Sequence, residues 1–309
     1  MAKKVSVGGQ AVIEGVMMRG SSNIATAVRK SDGSIDVSVE SFTPFTKRNK
    51  LLGLPVVRGF VSLVESLVIG MNALNKSAEY IEDDSEESKF DEWFKGVFKE
   101  KSGAVSNAIT LAIALAAAVG LFFVLPTFAA NIFVFAGIKD PFVLNIFEGI
   151  IRVGVFLLYV YLIGKMEDIH RVFQYHGAEH KAIFCYENEA PLTPESAAGF
   201  ARLHPRCGTN FMFLVMIVSI IVFSMTGWET LAERIVSRVV LLPVVSGVTY
   251  EIIRWMGKSD SGLSRMLSYP GLKLQELTTR EPDNDQIEVA IAALKAAEEI
   301  EEDGERNAQ

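Results

Sequence analysis

The chain has 309 residues, half of them hydrophobic, a formal net charge of −7 and a mean hydropathy of +0.28. Length alone would allow two soluble domains, but the apolar residues gather into long runs, and 108–130 carries no charge at all. Such a run can cross about 30 Å of hydrocarbon at about 1.5 Å per residue, so two soluble domains are excluded in favour of a mainly α, multi-pass transmembrane protein. The acidic balance comes largely from "EDDSEESKFDE" and "EEIEEDGE", which read as solvated faces or linkers; no basic stripe of the nucleic-acid-binding kind occurs. Cys185 and Cys207 are too few for a disulfide framework and suit a reducing compartment.

The first segment, "MAKKVSVGGQAVIEG", lacks the apolar core of about 7–15 residues that a secretory signal requires, so insertion is expected to use internal helices. "NIATAVRKSDGSIDVSVESF" alternates apolar and polar residues about Ser31-Asp32-Gly33, the pattern of a β-hairpin, and 1–50 is assigned to a small cytosolic β element. Within it, "GGQAVIEGVMMRG" has no Gly-Lys-Ser/Thr and fails as a phosphate loop. Its glycines are expected to form tight turns, with Glu14 and Arg19 directed at a neighbouring site. Residues 51–101 follow as re-entrant or interfacial helices with an acidic linker, because the apolar stretch 51–74 contains Arg58, Glu65 and Asn72. Phe90, Trp93, Phe94, Val97 and Phe98 recur at helical spacing, as expected of a helix on the inner membrane surface or packed on the protein's own core.

Residues 102–257 hold four expected spans, at about 106–129, 142–165, 210–227 and 235–255. With these spans, Lys165, Arg171, Lys181, Arg202 and Arg206 fall in one loop, 166–208, while the opposite side holds little more than Lys139 and Arg234. That bias places the loop and both termini in the cytoplasm, and a fifth crossing at 51–74 would break it. Inside the spans, Glu148–Arg152 and Glu251–Arg254 are spaced to pair along one helix face, or to form a polar pathway or headgroup site. The tail, 258–309, begins turn-rich and then enters a helix of about 284–300 at Asp283, with Ile287, Ala290, Ile291 and Leu294 on one face.

All four histidines, His170, His176, His180 and His204, lie with both cysteines between positions 170 and 207. In "HGAEH", His176 and His180 are four apart and can meet one ion, and the form matches the inverted zinc-protease motif, in which Glu179 would be the general base. In "HPRCG", a short turn could bring His204 and Cys207 to the same ion. Two helix ligands and two turn ligands of this mix suit zinc or another divalent transition metal rather than magnesium or calcium. Four ligands would close the site and make it structural; one fewer would leave a position open for hydrolysis with Glu179 as base. Against this stands the plainer reading of separate polar residues near a membrane surface. His170 and Cys185 read as structural, and Glu14, Arg19, Arg206 and Arg254 as candidates to complete the pocket.

Taken together, "GGQAVIEGVMMRG", "PVVRGFVSLVESLVIGMNAL", "HGAEHKAIFCYE", "HPRCGTNF" and "TTREPDNDQIEVAIAAL" resemble the YqhQ-like family of bacterial membrane proteins over nearly the whole chain. The resemblance implies a metal-dependent enzyme without naming a reaction. The leading expectation is an inner-membrane, metal-dependent hydrolase acting on a lipid-linked or membrane-associated substrate at the cytosolic face, with membrane lipids as partners and homo-oligomers allowed. The alternatives are a zinc-stabilised scaffold without catalysis and an oligomeric transporter relying on Glu148, Arg152, Arg238 and Glu251.

Overall fold

A computed structural model describes residues 7–82, 112–226, 230–259 and 261–300. The helix expected around Phe90 to Phe98, and residues 106–111 of the first expected span, lie outside the described residues. The chain divides into two units, one of Met1–Glu82, Val160–Val218 and Leu242–Gln309, the other of Asp83–Tyr159 and Ser219–Leu241.

The first unit is built on an antiparallel meander, β1 (Gly8–Val12), β2 (Gly15–Arg19), β3 (Asn23–Arg29) and β4 (Ile35–Ser41), in the order β1-β2-β3-β4. The expected hairpin is β3–β4, with Arg29 opposite Ile35 and Gly33 at φ 85°. Gly8-Gly9-Gln10 is strand rather than turn; the turn is Ile13 and Glu14 alone, with Glu14 at φ 49°. Period-2 alternation explains the strand that the glycines mask. Val16 and Met18 point to one face of the sheet with Ala25 and Ala27, whereas Met17 points to the other with Val12 and Val28.

Each face has its own helical cover. The Val16 face packs on α5 (Glu167–Glu187) and α10 (Asn284–Ala297), burying Ile183, Ile287, Ile291 and Leu294. The Met17 face packs on α2 (Val57–Glu82) through Ile69, Ala73 and Tyr80. Polar contacts follow the same seam: Glu65 to Arg19 at 3.4 Å, Ile13 N–H to Ser77 Oγ at 3.3 Å, and Tyr80 O–H to Asp36 at 2.6 Å. α2 runs as one uninterrupted helix through the stretch expected to be re-entrant or interfacial. A short α1 (Phe45–Arg48) precedes it, and α6 (Pro194–Ala198) follows α5.

Among the described residues, four helices are long and apolar enough to cross a membrane: Val57–Tyr80 of α2, α3 (Ala112–Phe135), α4 (Pro141–Ile163) and Ala232–Met256 of α8 (Leu231–Met256). The third expected span appears as α7 (Thr209–Ser224), apolar but only 16 residues, about 24 Å at about 1.5 Å per residue. At its end Ser224 and Thr226 donate their hydroxyls to the carbonyls of Ile220 and Phe223.

The turn-rich reading of the tail is corrected by α9 (Gly262–Thr278), which runs as helix through Pro270. Burial of Ser264, Leu274 and Gln275 on one side, and the fit of Gly271 against Asn210, outweigh the hydrogen bond that proline removes. α10 opens on a capping box between Asp283 and Gln286, as the sequence signals. Glu251 pairs with Arg58, at 2.7 and 2.5 Å, rather than with Arg254. Gly247 permits this, since a Cβ there would collide with the Val56 carbonyl at the entry to α2.

In the second unit, Pro126 cannot donate to the carbonyl of Phe122, and a π turn at Gly120–Val124 loosens the same stretch of α3. Arg152 Nε donates to that carbonyl at 3.0 Å. The expected Glu148–Arg152 pair forms at 2.5 Å, and Glu148 also accepts from Arg238 at 2.6 Å and from Thr127 at 3.0 Å, all of them buried.

Candidate metal centre

α5 presents two working faces. It starts after the extended Met166, with Glu167 and Asp168 in a first turn where the helix dipole favours acids. Arg171, Tyr175 and Glu179, spaced by four, face the sheet; His176 and His180 face the "HPRCG" turn and the end of α9. Gly177 lets the segment after α9 cross closely, with Arg280 N–H bound to the Phe173 carbonyl at 2.8 Å, and a Cβ there would collide with the Arg280 carbonyl oxygen. Gly177→Ala is therefore expected to destabilise the protein by about 1–3 kcal/mol, despite alanine's better helix propensity, as read from thermal unfolding.

His176 Nδ1 lies 2.9 Å from the Thr278 carbonyl and His180 Nδ1 lies 2.6 Å from the Arg202 carbonyl. A carbonyl can only accept, so both Nδ1 atoms carry the proton and both Nε2 atoms present lone pairs. His176 Nε2 meets Cys207 Sγ at 3.1 Å, while His180 Nε2 is buried with no hydrogen-bond partner. The ligand atoms of His176, His180 and Cys207 all lie within 4.8 Å of one another. Cys207 also accepts from the Thr209 hydroxyl at 3.3 Å.

His204 stands outside this group. Gln275 pins its backbone from both sides, at 2.8 Å to the N–H and 2.8 Å to the carbonyl, and its Nδ1 accepts from Arg206 N–H at 3.2 Å. Its Nε2 faces Glu187 at 3.5 Å and, like that of His180, is buried with no hydrogen-bond partner among the described residues. Burial, with His180 nearby, pulls its pKa down to about 4, and Glu187 is paired with Arg206. The turn thus brings Cys207 into the group of three, with the His204 ring 5.7 Å from that of His180.

Glu179 is 4 % exposed, and burial pushes its carboxyl above the usual range, against the opposing pull of His176 and of a hydrogen bond from Gly9 N–H. That contact was not legible beforehand: a Cβ at Gly9 would lie 3.0 Å from Glu179 Cδ and 2.7 Å from the Met17 carbonyl, so only glycine brings the backbone this close. Also missed was Lys181, buried, whose Nζ binds the carbonyls of Ala198 and Phe200 at 2.8 and 2.9 Å and so fixes the approach to Arg202.

The other expected pocket residues separate. Glu14 is held by Arg171 through two 2.5 Å bonds and by Tyr175 at 3.2 Å, which leaves it a structural anchor of the β1–β2 turn. Arg19 turns towards Glu65, and Arg254 is exposed. Arg206 lines a cavity of about 720 Å³, not lined by His176, His180 or Cys207, with Glu187, His204 and Asn210 at a polar end and Phe184, Ile253, Met256 and Leu272 among its apolar walls. His170 is exposed; Cys185 is buried, its thiol 3.2 Å from the Pro191 carbonyl, and burial raises its pKa.

The combination of a sheet-capped helix bearing this motif with long apolar helices has a family. The family described as Protein of unknown function (DUF1385) matches residues 54–300, and the chain belongs to it. It is 36 % identical over 310 residues to the Uncharacterized protein YqhQ of Bacillus subtilis (strain 168), covering 97 % of this chain and 94 % of that one. No solved structure matches.

Proposed function

We propose that the chain is a multi-pass membrane protein whose His176, His180 and Cys207 hold one zinc, or another divalent transition metal, for hydrolysis of a lipid-linked or membrane-associated substrate at the cytosolic face. The observation that carries this reading is the buried, unpartnered His180 Nε2 beside His176 Nε2 and Cys207 Sγ, with both Nδ1 protons fixed on carbonyls. Two imidazoles and one thiolate suit such an ion, and three ligands rather than four favour catalysis over a closed structural site. When bound, the ion would polarise a scissile carbonyl or phosphoryl group.

The chain's own groups do the rest. Glu179, oriented by Gly9 N–H, would take the proton of the attacking water at its carboxylate, and its burial raises its proton affinity. The cavity beside His204 offers Arg206 and Asn210 to a polar headgroup and apolar walls to its chains. In this reading α3, α4, α7 and α8 cross the bilayer. α2 lies along the interface, one face on the sheet and the other exposing Val64, Leu67, Val68, Met71 and Leu74.

Glu179→Gln, purified at full length and assayed on carboxylester and phosphodiester lipids in nanodiscs, is expected to keep its metal and lose turnover by about 10²–10⁴-fold. Unchanged turnover with metal retained would remove Glu179 from the chemistry, and a metal-loaded wild type inactive on the whole panel would favour the scaffold.

A further inference from the structure

Between the sheet and α2 lies a second cavity, of about 580 Å³, that the metal site does not use. Its lining joins the glycine-rich strands at Gly8, Gly9 and Gly20 to Ser66 and Ile69 of α2, and the charged residues on it are both cations, Arg19 and Lys47. The Arg19 guanidinium is fixed from two sides, 4.2 Å above the centre of the Phe42 ring and 3.4 Å from Glu65 Oε2. Glu65 is buried and accepts the Phe45 N–H at 2.8 Å through its other oxygen, so it works as an anchor behind the arginine rather than as a lining group. Arg19 keeps 32 % of its side chain exposed, and a guanidinium has five N–H donors, more than one long contact occupies. Ser66 is exposed at the α2 side, followed directly by Leu67 and Val68 at 58 % and 54 % exposure.

We propose that this cavity is a phosphate-binding site, with the oxyanion held between Arg19 and Lys47. A planar guanidinium oriented in advance matches phosphate geometry, glycine backbone permits close approach, and the apolar stripe of α2 at the opening suits the chains of a phospholipid. The site does not depend on the metal, and His180→Ala is expected to leave it intact.

The test uses the full-length protein in phosphatidylcholine nanodiscs, with inorganic phosphate or phosphatidylglycerol incorporated as the probe and the thermal midpoint as readout. At least one probe is expected to raise the midpoint. A rise with phosphatidylglycerol alone identifies a lipid headgroup as the source; a rise with inorganic phosphate identifies a free anion. For the active probe, Arg19→Gln should weaken apparent affinity on the order of tenfold and Lys47→Gln, at an exposed position that folding does not need, about threefold. Wild-type affinity in Lys47→Gln and in the Arg19→Gln/Lys47→Gln pair, or no response to either probe, overturns the proposal. Loss of the response in His180→Ala would instead tie it to the metal centre.

Discussion

His180→Ala is expected to strip the purified full-length protein of stoichiometric divalent metal, whereas His204→Ala is expected to retain it. His180 supplies a buried nitrogen with no protein partner and a proton already committed to the Arg202 carbonyl, so its removal deletes a donor oriented in advance. The loss should exceed the roughly 10–100-fold in affinity that follows removal of an outer-shell partner. His204 faces Glu187 and lies outside the group of atoms that fall within 4.8 Å of one another. Metal analysis by mass spectrometry after dialysis reads both variants. Equal loss in the two would mean that four ligands close on the ion, which favours a structural role; stoichiometric metal in His180→Ala would sink the ligand assignment.

Glu148→Ala should destabilise the protein by about 3–5 kcal/mol, because it leaves the guanidinium groups of Arg152 and Arg238 buried without their shared carboxylate. Glu251→Ala makes the contrast. Its pair with Arg58 is just as short, but the two side chains keep 28 % and 23 % exposure, so solvent can replace the partner and the cost should stay near 1 kcal/mol. Unfolding of both variants in the same detergent compares them directly. Equal losses would show that the Glu148 group is hydrated in place of being sealed.

Period and caps were legible in the sequence wherever one residue type dominated a face. The β3–β4 hairpin, α4 and the capped entry to α10 follow from alternation, apolar run length and Asp283. So did the concentration of histidine and cysteine, since spacing by four fixes His176 and His180 on one helix face. Features that depend on a distant partner were not legible. Pro270 sits inside a helix because α9 buries Gln275 against His204, 71 residues away in sequence, and Gly8-Gly9 extends as a strand by pairing with Arg19 and Met18 of β2, with Glu179 close behind Gly9. Arg58 wins Glu251 from Arg254 through an approach that Gly247 and Gly59 permit. The placement of His204 relative to His176, His180 and Cys207 has the same origin: Gln275 holds its backbone and Glu187 faces its ring, and neither is marked in "HPRCG".

The sandwiching of the meander has a counting consequence. β2 and β3 lie directly against α10, and β1 and β2 against α5, so these segments share one side of any bilayer the chain threads. Every stretch that leaves that side before α5 must come back, which makes the number of crossings between β4 and α5 even. The same parity holds between α5 and α10. On the proposed reading, in which α2 stays with the sheet through Glu65, Ser77 and Tyr80, α3 and α4 would pair as the first excursion. The second requires α8 to be matched by the 16-residue α7, whose shortfall of about 6 Å would then be met by local thinning of the lipid.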